Sequence, residues 1–166
     1  MIVAEFRLHN LDLNRYNYPK RSYRLPHAVW PTDTHLVCVV PNDSENIFPT
    51  QWLLEDILII HNQIEKKKEI AKSFDLFFID ASLEPEIQKF GGEYFIRRAR
   101  IVFVDDMVHK SLNELLHYIS IQKISGTTIK GVVANIDSTA NNCVENIISL
   151  LEQMEPYIPL RTIRNV

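Results

Sequence analysis

Three short apolar runs, each closed by a polar residue, constrain the fold of this chain more than any other feature. They are Phe74–Asp80, Arg100–Asp105 and Ile129–Asn135. Each run is rich in Val, Ile or Phe and shorter than a typical helix, so each predicts a buried strand. A polar residue directly after such a strand is typical of the carboxyl edge of a parallel sheet, where ligands bind.

Helical patterns separate these runs from one another and from a fourth apolar run, His35–Val40. Apolar residues recur with helical spacing in Pro49–Lys72, in Ser111–Ser120 and after Asn141. Buried strands that alternate with helices predict an α/β fold with three layers and a mainly parallel sheet, Rossmann-like or P-loop-NTPase-like.

The two ends of the chain add weaker elements. Met1–Leu8 alternates apolar and polar residues and predicts a first strand, and the tail after Ile158 predicts an edge strand. The last helix is expected to begin at Asn141 or Asn142. Its predicted buried face comprises Val144, Ile147, Ile148 and Leu151.

The composition is that of an ordinary globular protein, with 46% apolar and 23% charged residues among 166. This length suits one domain over residues 1–166. The net charge of −3 gives no general attraction to nucleic acid or anionic membranes. No apolar run approaches the roughly 18 residues of a membrane span, and no signal-peptide pattern begins the chain, so we expect a cytoplasmic protein.

Residues 10–31 have neither a helical nor a strand period and contain three prolines, so we expect an extended arm or a long loop. This segment interleaves cations with tyrosines, a combination that binds phosphates and stacks bases. Its candidate contacts to nucleic acid or to a protein partner are Arg15, Lys20, Arg21 and Arg24. In the alternative interpretation the tyrosines pack on the domain and the cations remain in water.

Glycine is scarce, with four residues in the whole chain. A phosphate-binding loop needs glycines so that backbone N–H groups can approach the phosphates. Neither Gly-x-x-x-x-Gly-Lys-Ser/Thr nor Gly-x-Gly-x-x-Gly occurs, and Gly-x-Ser-x-Gly and His-Glu-x-x-His are also missing. The sequence therefore favours a protein without catalytic residues.

The residues that close the apolar runs are the candidate ligand-binding groups: Asp80, Asp105 and Asn135. An aspartate in this position can hold Mg²⁺, because a hard cation prefers carboxylate oxygens, and Asp80 is the candidate metal ligand. It can equally cap the next helix or close a turn. Among the six histidines, His109 is the best placed, because it follows the strand that ends at Asp105.

From about Phe74 onward the chain resembles the second half of the ParA/MinD family of deviant P-loop ATPases. Phe74–Asp80 is similar to that family's second-motif strand, which ends in a magnesium-associated aspartate, and Arg98–Val104 is similar to the next strand. Ile129–Asn135 resembles the strand whose final asparagine reads the adenine base. Further resemblance lies in Ser111–Leu116 and Pro159–Ile163. The resemblance implies ATP and Mg²⁺ as ligands, contacts from Asp80 and Asn135, and a dimer.

The family's glycine-rich, lysine-containing phosphate loop has no counterpart in residues 1–73. The resemblance therefore implies a degenerate member that keeps the fold but has lost ATP hydrolysis. Such a protein would act as a binding or regulatory partner, for example in DNA partition, transfer or positioning. A truncated form of a longer protein is the other explanation of the missing loop.

Other classes also fit parts of the pattern. Phe74–Ser82 and Ile101–Asp106, with a glycine pair between them, resemble class I methyltransferases, which use S-adenosylmethionine but also need an early glycine-rich loop. A receiver-like or flavodoxin-like binding domain is a further alternative. Receivers carry a phospho-acceptor aspartate on their third strand, a role that Asp80 could fill, but their early acidic pair is missing. An unrelated, catalytically silent α/β interaction module remains open as well.

Overall fold

A computed structural model describes residues 1–15, 22–61, 69, 72–89 and 100–166, without the side chains of residues 58–61. Within these ranges the chain forms two compact units. Unit 1 comprises Met1–Pro31 and Leu116–Val166, and unit 2 is the inserted segment Thr32–Leu115. The predicted single domain over residues 1–166 does not include this division.

The described elements follow one another in this order: β1 (Ile2–Leu8), β2 (Ser22–Arg24), β3 (Leu36–Val40), β4 (Gln51–Leu53), α1 (Leu54–His61), β5 (Leu76–Asp80), β6 (Ile101–Val104), α2 (Leu112–Leu115), β7 (Tyr118–Ser125), β8 (Thr128–Ala134), α3 (Ala140–Met154) and β9 (Ile163–Asn165). Single 3₁₀ turns lie at Ala81–Leu83, Met107–His109 and Leu160–Thr162.

Unit 2 is built on a parallel sheet of four strands in the order β4-β3-β5-β6. Residues 37–40 of β3 and all of β5 are buried. Strands in the middle of a parallel sheet have no solvent-facing side, so they appear as unbroken apolar runs. The expected parallel sheet is therefore confirmed for the runs that begin at His35, Phe74 and Arg100.

Strand β4 was not expected, because its residues fall inside the helical pattern of Pro49–Lys72. The side chain of Gln51 fixes the connection that precedes it: Oε1 accepts hydrogen bonds from the N–H groups of Ile47 (2.9 Å) and Phe48 (3.2 Å), and Nε2 donates to the carbonyl of Glu45 (2.8 Å). The predicted helix is therefore wrong for Gln51–Leu53, which form β4. Its continuation, Leu54–His61, is helical and forms α1. Residues 62–68, 70 and 71 lie outside the described residues.

Unit 1 contains an antiparallel sheet in the order β2-β7-β8-β1-β9. The predicted strand Ile129–Asn135 is present as β8, but it runs antiparallel to both of its neighbours, so its expected place in the parallel sheet is wrong. The predicted helix Ser111–Ser120 ends at Leu115, and β7 follows. Because β7 and β8 are joined by a tight turn at residues 126 and 127, they pair as a hairpin.

Two side chains near the start of the chain pack closely against the glycine of the turn between β7 and β8. A Cβ atom at Gly126 would lie 2.7 Å from Nδ2 of Asn14 and closer still to Oδ1 of Asp12. The backbone of the same segment bonds to this turn, since Leu13 N–H donates to the carbonyl of Gly126 at 2.7 Å. The start of the chain is thereby attached to the β7–β8 turn.

Residues 22–31 belong to unit 1 rather than to an extended arm. Ser22–Arg24 pair with β7, and the side chains of Leu25, Val29 and Trp30 are buried. The N–H groups of Val29 (2.9 Å) and Trp30 (3.2 Å) both donate to the carbonyl of Leu116. The chain therefore leaves unit 1 and returns to it at hydrogen-bonded positions. Residues 16–21 lie outside the described residues.

One face of the unit 1 sheet is buried and the other is largely polar. The buried side chains alternate along the strands and include Ala4, Phe6 and Leu8 on β1 and Ile129 and Val133 on β8. Helix α3 contacts β8 and buries Leu150 and Met154. An antiparallel sheet with one packed face and one solvated face has this alternating sequence.

Helix α3 presents a different face to the core than its apolar pattern predicts. It begins after Thr139, whose Oγ1 accepts a hydrogen bond from Asn142 N–H at 3.1 Å. Its buried residues are Asn146, Leu150 and Met154, whereas Val144 and Ile148 are 53% and 51% exposed. The predicted buried face is wrong for these last two residues, because a polar side chain, Asn146, points inward instead.

Asn146 is 1% exposed and its amide group is fully used. Oδ1 accepts a hydrogen bond from His27 N–H (2.9 Å), while Nδ2 donates to the carbonyls of His27 (3.2 Å) and Val133 (2.8 Å). The neighbouring side chain on the helix, Glu145, contacts the His27 ring. One amide therefore joins α3, β8 and the segment after β2.

We expect Asn146→Ala to lower the free energy of unfolding of unit 1 by about 2 to 4 kcal/mol, because several backbone groups lose their partner in a water-poor site. Asn141→Ala, at an exposed position of the same helix, should change it by less than about 0.5 kcal/mol. The chain has two tryptophans, one in each unit. In a Trp52→Phe background, urea denaturation followed by Trp30 fluorescence therefore reports unit 1. Equal losses in both variants would contradict the role of Asn146.

Candidate functional site at the edge of the parallel sheet

Asp80 is the last residue of the central strand β5, opposite Val104 of β6. It is 7% exposed, and its Oδ1 accepts hydrogen bonds from both Ser82 N–H (3.0 Å) and Ser82 Oγ (2.6 Å). This arrangement caps the 3₁₀ turn that follows the strand. In the described part of the chain no hydrogen bond is made to the other oxygen, Oδ2.

The chain reverses direction sharply after β6. Asp106 adopts the left-handed conformation (φ 53°), and its Oδ1 lies 2.5 Å from Nδ1 of His109. Lys110 Nζ donates to the carbonyls of Asp105 (2.6 Å) and Asp106 (3.4 Å). His109 and Lys110 thus bind the turn that contains the two aspartates.

The pKa of the Asp106 carboxyl is lowered, first by the hydrogen bond from His109 and then by the positive charges of His109 and Lys110. Both Asp106 and His109 are exposed, so water screens the interaction. Asp106 is therefore an exposed, ionised carboxylate whose hydrogen bond to His109 closes the turn after β6. This arrangement favours a role in the turn over proton abstraction from a substrate.

The end of β3 is capped in a similar way. Oδ1 of Asn42 accepts a hydrogen bond from Glu55 N–H (2.9 Å), in the first turn of α1. Oδ2 of Asp56 accepts from Leu53 N–H (2.8 Å), just before the same helix. Free N–H groups at a helix start can bind anions, but here side chains of the chain itself occupy these two N–H groups.

Of the three predicted cofactor-binding residues, the structure brings two to one sheet edge. Asp80 and Asp105 end neighbouring strands of unit 2, whereas Asn135 follows β8 in unit 1. The Asn135 side chain has two partners inside unit 1: Oδ1 accepts from Asp137 N–H (2.9 Å) and Nδ2 donates to the carbonyl of Val29 (3.2 Å). Asn135 therefore stabilises the turn between β8 and α3.

The described residues do not form a cluster of metal ligands around Asp80. Among them, no group of three or more His, Cys, Asp and Glu side chains is placed to hold a metal ion. If Asp80 held Mg²⁺, the ion would complete its octahedral shell with water or with the phosphates of a ligand. Mg²⁺ and ATP as ligands of Asp80 are implied by the family resemblance alone.

The predicted contact residues lie in unit 1. Arg15 is largely exposed and lies 3.8 Å from Asp12. Arg24 is exposed on β2, next to the buried Tyr23. This pair fits the alternative interpretation, in which tyrosines pack and cations remain in water. Lys20 and Arg21 lie outside the described residues.

Sequence reasoning missed the residues that close off the edge of the parallel sheet. A serine two positions after an aspartate is a typical turn signal, so Ser82 could have been assigned as the partner of Asp80. Lys110 and Asn42 gave no such signal, because their partners are backbone groups brought near by the turns. The role of Asn146 could have been found from its four-residue spacing to Leu150 and Met154.

No protein-family model matches the chain, and a search of curated proteins finds no significant match. Among the described residues, no helix has the length and apolar character needed to cross a lipid bilayer.

Cys38, in the middle of β3, is fully buried, and burial raises the pKa of its thiol from 9.0 to about 12. The thiolate is the reactive form of cysteine, so Cys38 does not act as a nucleophile near neutral pH. Cys143 is half-buried, and both cysteines are free.

We expect the free energy of unfolding to fall as the pH rises from about 9 towards 12, because the unfolded chain then loses the Cys38 proton that the folded chain keeps. This one group contributes a slope of at most about 1.4 kcal/mol per pH unit. Urea denaturation of the wild type and of Cys38→Ala measures it, since their difference should shrink over this range. Cys143→Ala is the matched control and should follow the wild type. A constant difference between the wild type and Cys38→Ala would contradict the raised pKa.

Proposed function

We propose that the protein is a binding or regulatory protein that does not hydrolyse ATP. One observation carries this proposal: the polar groups at the carboxyl edge of the parallel sheet bond to one another and to nearby backbone. Asp80 bonds to Ser82, Asp106 to His109, and Asn42 to the start of α1. Groups used in this way close turns and cap helices.

The path of the chain after β3 supports the same conclusion. A phosphate loop passes from a strand through glycines directly into a helix, whose first N–H groups then hold the phosphates. Here residues 41–50 contain no glycine and lead into β4, which pairs with β3 itself. The helix that comes next begins only after β4, and its Glu55 N–H bonds to Asn42.

A degenerate relationship to ParA/MinD proteins is part of this proposal. Two of the family-like segments, Phe74–Asp80 and Arg98–Val104, include neighbouring parallel strands, whereas Ile129–Asn135 belongs to the antiparallel sheet. We therefore restrict the proposed three-layer, Rossmann-like arrangement to unit 2. The partner would be another protein or a second copy of the chain, in a process such as DNA partition, transfer or positioning.

We expect no thermal stabilisation by ATP, ADP or GTP in the presence of Mg²⁺, and no phosphate release from ATP. A ligand at 100 times its dissociation constant stabilises a protein by about 2.7 kcal/mol, so even weak binding would be visible in a thermal denaturation assay. S-adenosylmethionine belongs in the same panel, and a shift with it would support the methyltransferase alternative. ATP turnover that Asp80→Ala abolishes would show that the proposal is wrong.

A receiver-like or flavodoxin-like module is the second candidate, and the strand order favours it. In chain order the parallel strands are β3, β4, β5 and β6, and in space they follow the order second, first, third, fourth. This is the beginning of the flavodoxin-like order, which places the ligand between the first and third strands. Asp80 ends that third strand.

The second candidate predicts that Asp80 accepts a phosphoryl group from acetyl phosphate in the presence of Mg²⁺. In this reaction a carboxylate oxygen of Asp80 attacks phosphorus, the bond from phosphorus to the acetyl oxygen breaks, and acetate leaves. Intact-protein mass spectrometry should show one added phosphoryl group, which Asp80→Asn removes. Asp75→Asn, at an exposed position just before β5, is the matched control and should still be modified. An unmodified wild type would rule this candidate out.

A further inference from the structure

The two units differ in charge. Unit 1 has nine Lys and Arg against six Asp and Glu, a net charge of +3, whereas unit 2 has nine against fifteen, a net charge of −6. The chain total of −3 hides this difference. A local excess of positive charge attracts polyanions even when the whole protein is acidic.

Charge is also divided within unit 1. Residues 131–160 include all of α3 and contain four acidic residues and no Lys or Arg. All nine cations of unit 1 therefore lie in the sheet strands, in the N-terminal segment and in the C-terminal tail. An anionic partner would avoid the helix side of unit 1 and approach the other face of the sheet.

That second face, called the open face below, is defined by strand register. It carries Glu5, Arg7, Arg24, Tyr118, Gln122 and Lys130. Arg24 on β2 pairs with Tyr118 on β7, and Lys130 on β8 pairs with Gln122 on β7. Tyr118 and Lys130 are half-buried, while the other four are exposed.

The cations on the open face differ in availability. Arg7 lies 3.3 Å from Glu5, so its charge is partly compensated. Lys130 has Glu5 as its cross-strand neighbour, but no ion pair joins them. In the described part of the chain the side chains of Arg24 and Lys130 make no ion pair. Together with Tyr118 they form a set of two cations and one aromatic ring.

The spacing of this set favours a polymer over a small anion. Arg24 and Lys130 are separated by two strand spacings and about four residues along the strands, which corresponds to roughly 16 Å. A single phosphate cannot reach both, whereas well-separated phosphates of one nucleic-acid strand can. Tyr118 lies directly opposite Arg24, on the strand between those that carry the two cations, and its ring can stack with a base.

The width of the face favours a single strand over a duplex. Five strands span roughly 19 Å, whereas the major groove of DNA is about 12 Å wide and admits a helix or a two-stranded ribbon. We therefore propose that the open face of unit 1 binds single-stranded nucleic acid through Arg24, Lys130 and Tyr118. This extends the proposed binding function to a second surface and does not depend on Asp80.

The test is a titration of fluorescein-labelled oligo(dT) with the full chain, followed by fluorescence anisotropy between about 50 and 200 mM salt. The affinity of the wild type for oligo(dT) should fall as the salt concentration rises. The double variant Arg24→Gln, Lys130→Gln should reduce the slope of log affinity against log salt by about 1.4. Lys72→Gln with Lys89→Gln removes the same charge from exposed positions of unit 2 and should leave the slope unchanged.

Tyr118 gives a readout that charge alone does not affect. Tyr118→Leu should weaken binding by about 5-fold to 150-fold through loss of stacking, and Tyr118→Phe should retain wild-type affinity. Circular dichroism checks the fold of every variant. Arg24→Gln alone, at an exposed edge position, keeps the test valid if the double variant does not fold.

Several results would overturn the proposal: no binding of oligo(dT) by the wild type, equal weakening by the unit 2 control pair, or equal binding by Tyr118→Leu. Binding to anionic phospholipid vesicles without binding to oligo(dT) would also overturn it and would identify a membrane surface instead. Each of these results would leave the proposed absence of ATP hydrolysis intact, since that is measured separately with the nucleotide panel.

Discussion

The fold of unit 1 depends on one buried amide. Asn146 bonds to His27 and Val133, so helix α3, strand β8 and the segment after β2 meet at a single side chain. A buried amide is stabilising only when each of its polar atoms has a partner, and a misplaced helix would leave three backbone groups unpaired. Apolar packing of Leu150 and Met154 holds the helix against the sheet but specifies its rotation less strictly. The amide therefore fixes how the helix lies on the sheet.

Contacts between residues distant in sequence also determine which strands and helices were predictable from the sequence. The runs that became β3, β5 and β6 were predictable, because a strand buried on both faces must be apolar along its whole length. Strand β4 could not be separated from α1, since three residues are too few to show a period and the long-range pairing with β3 decides their state. Helix α2 and strand β7 share one apparent helical pattern for the same reason. The direction of β8 depends on its partner strands, which no local pattern encodes.

The sequence predicted where the aspartates of the candidate site lie, but it did not predict their hydrogen-bond partners. Asp80 and Asp105 do end neighbouring parallel strands, as expected from their place after apolar runs. The partners of the edge residues are backbone groups and short-range neighbours such as Ser82 and His109, which only the turns bring into reach. Asp80, which the sequence suggests as a metal ligand, caps the 3₁₀ turn that follows β5. In the described part of the chain, both hydrogen bonds to Asp80 reach the same carboxylate oxygen.

The backbone hydrogen bonds of Val29 and Trp30 to Leu116 affect how the sequence of this protein can evolve. The backbone hydrogen bonds at Leu116 hold the two ends of the inserted segment side by side. Seen from unit 1, residues 32–115 are a very long surface loop, and the entropy of closing a loop grows only with the logarithm of its length. Exchange of the whole segment for another module, or for a short turn, would therefore cost unit 1 little stability. The binding specificity of the two units could then evolve separately within one polypeptide.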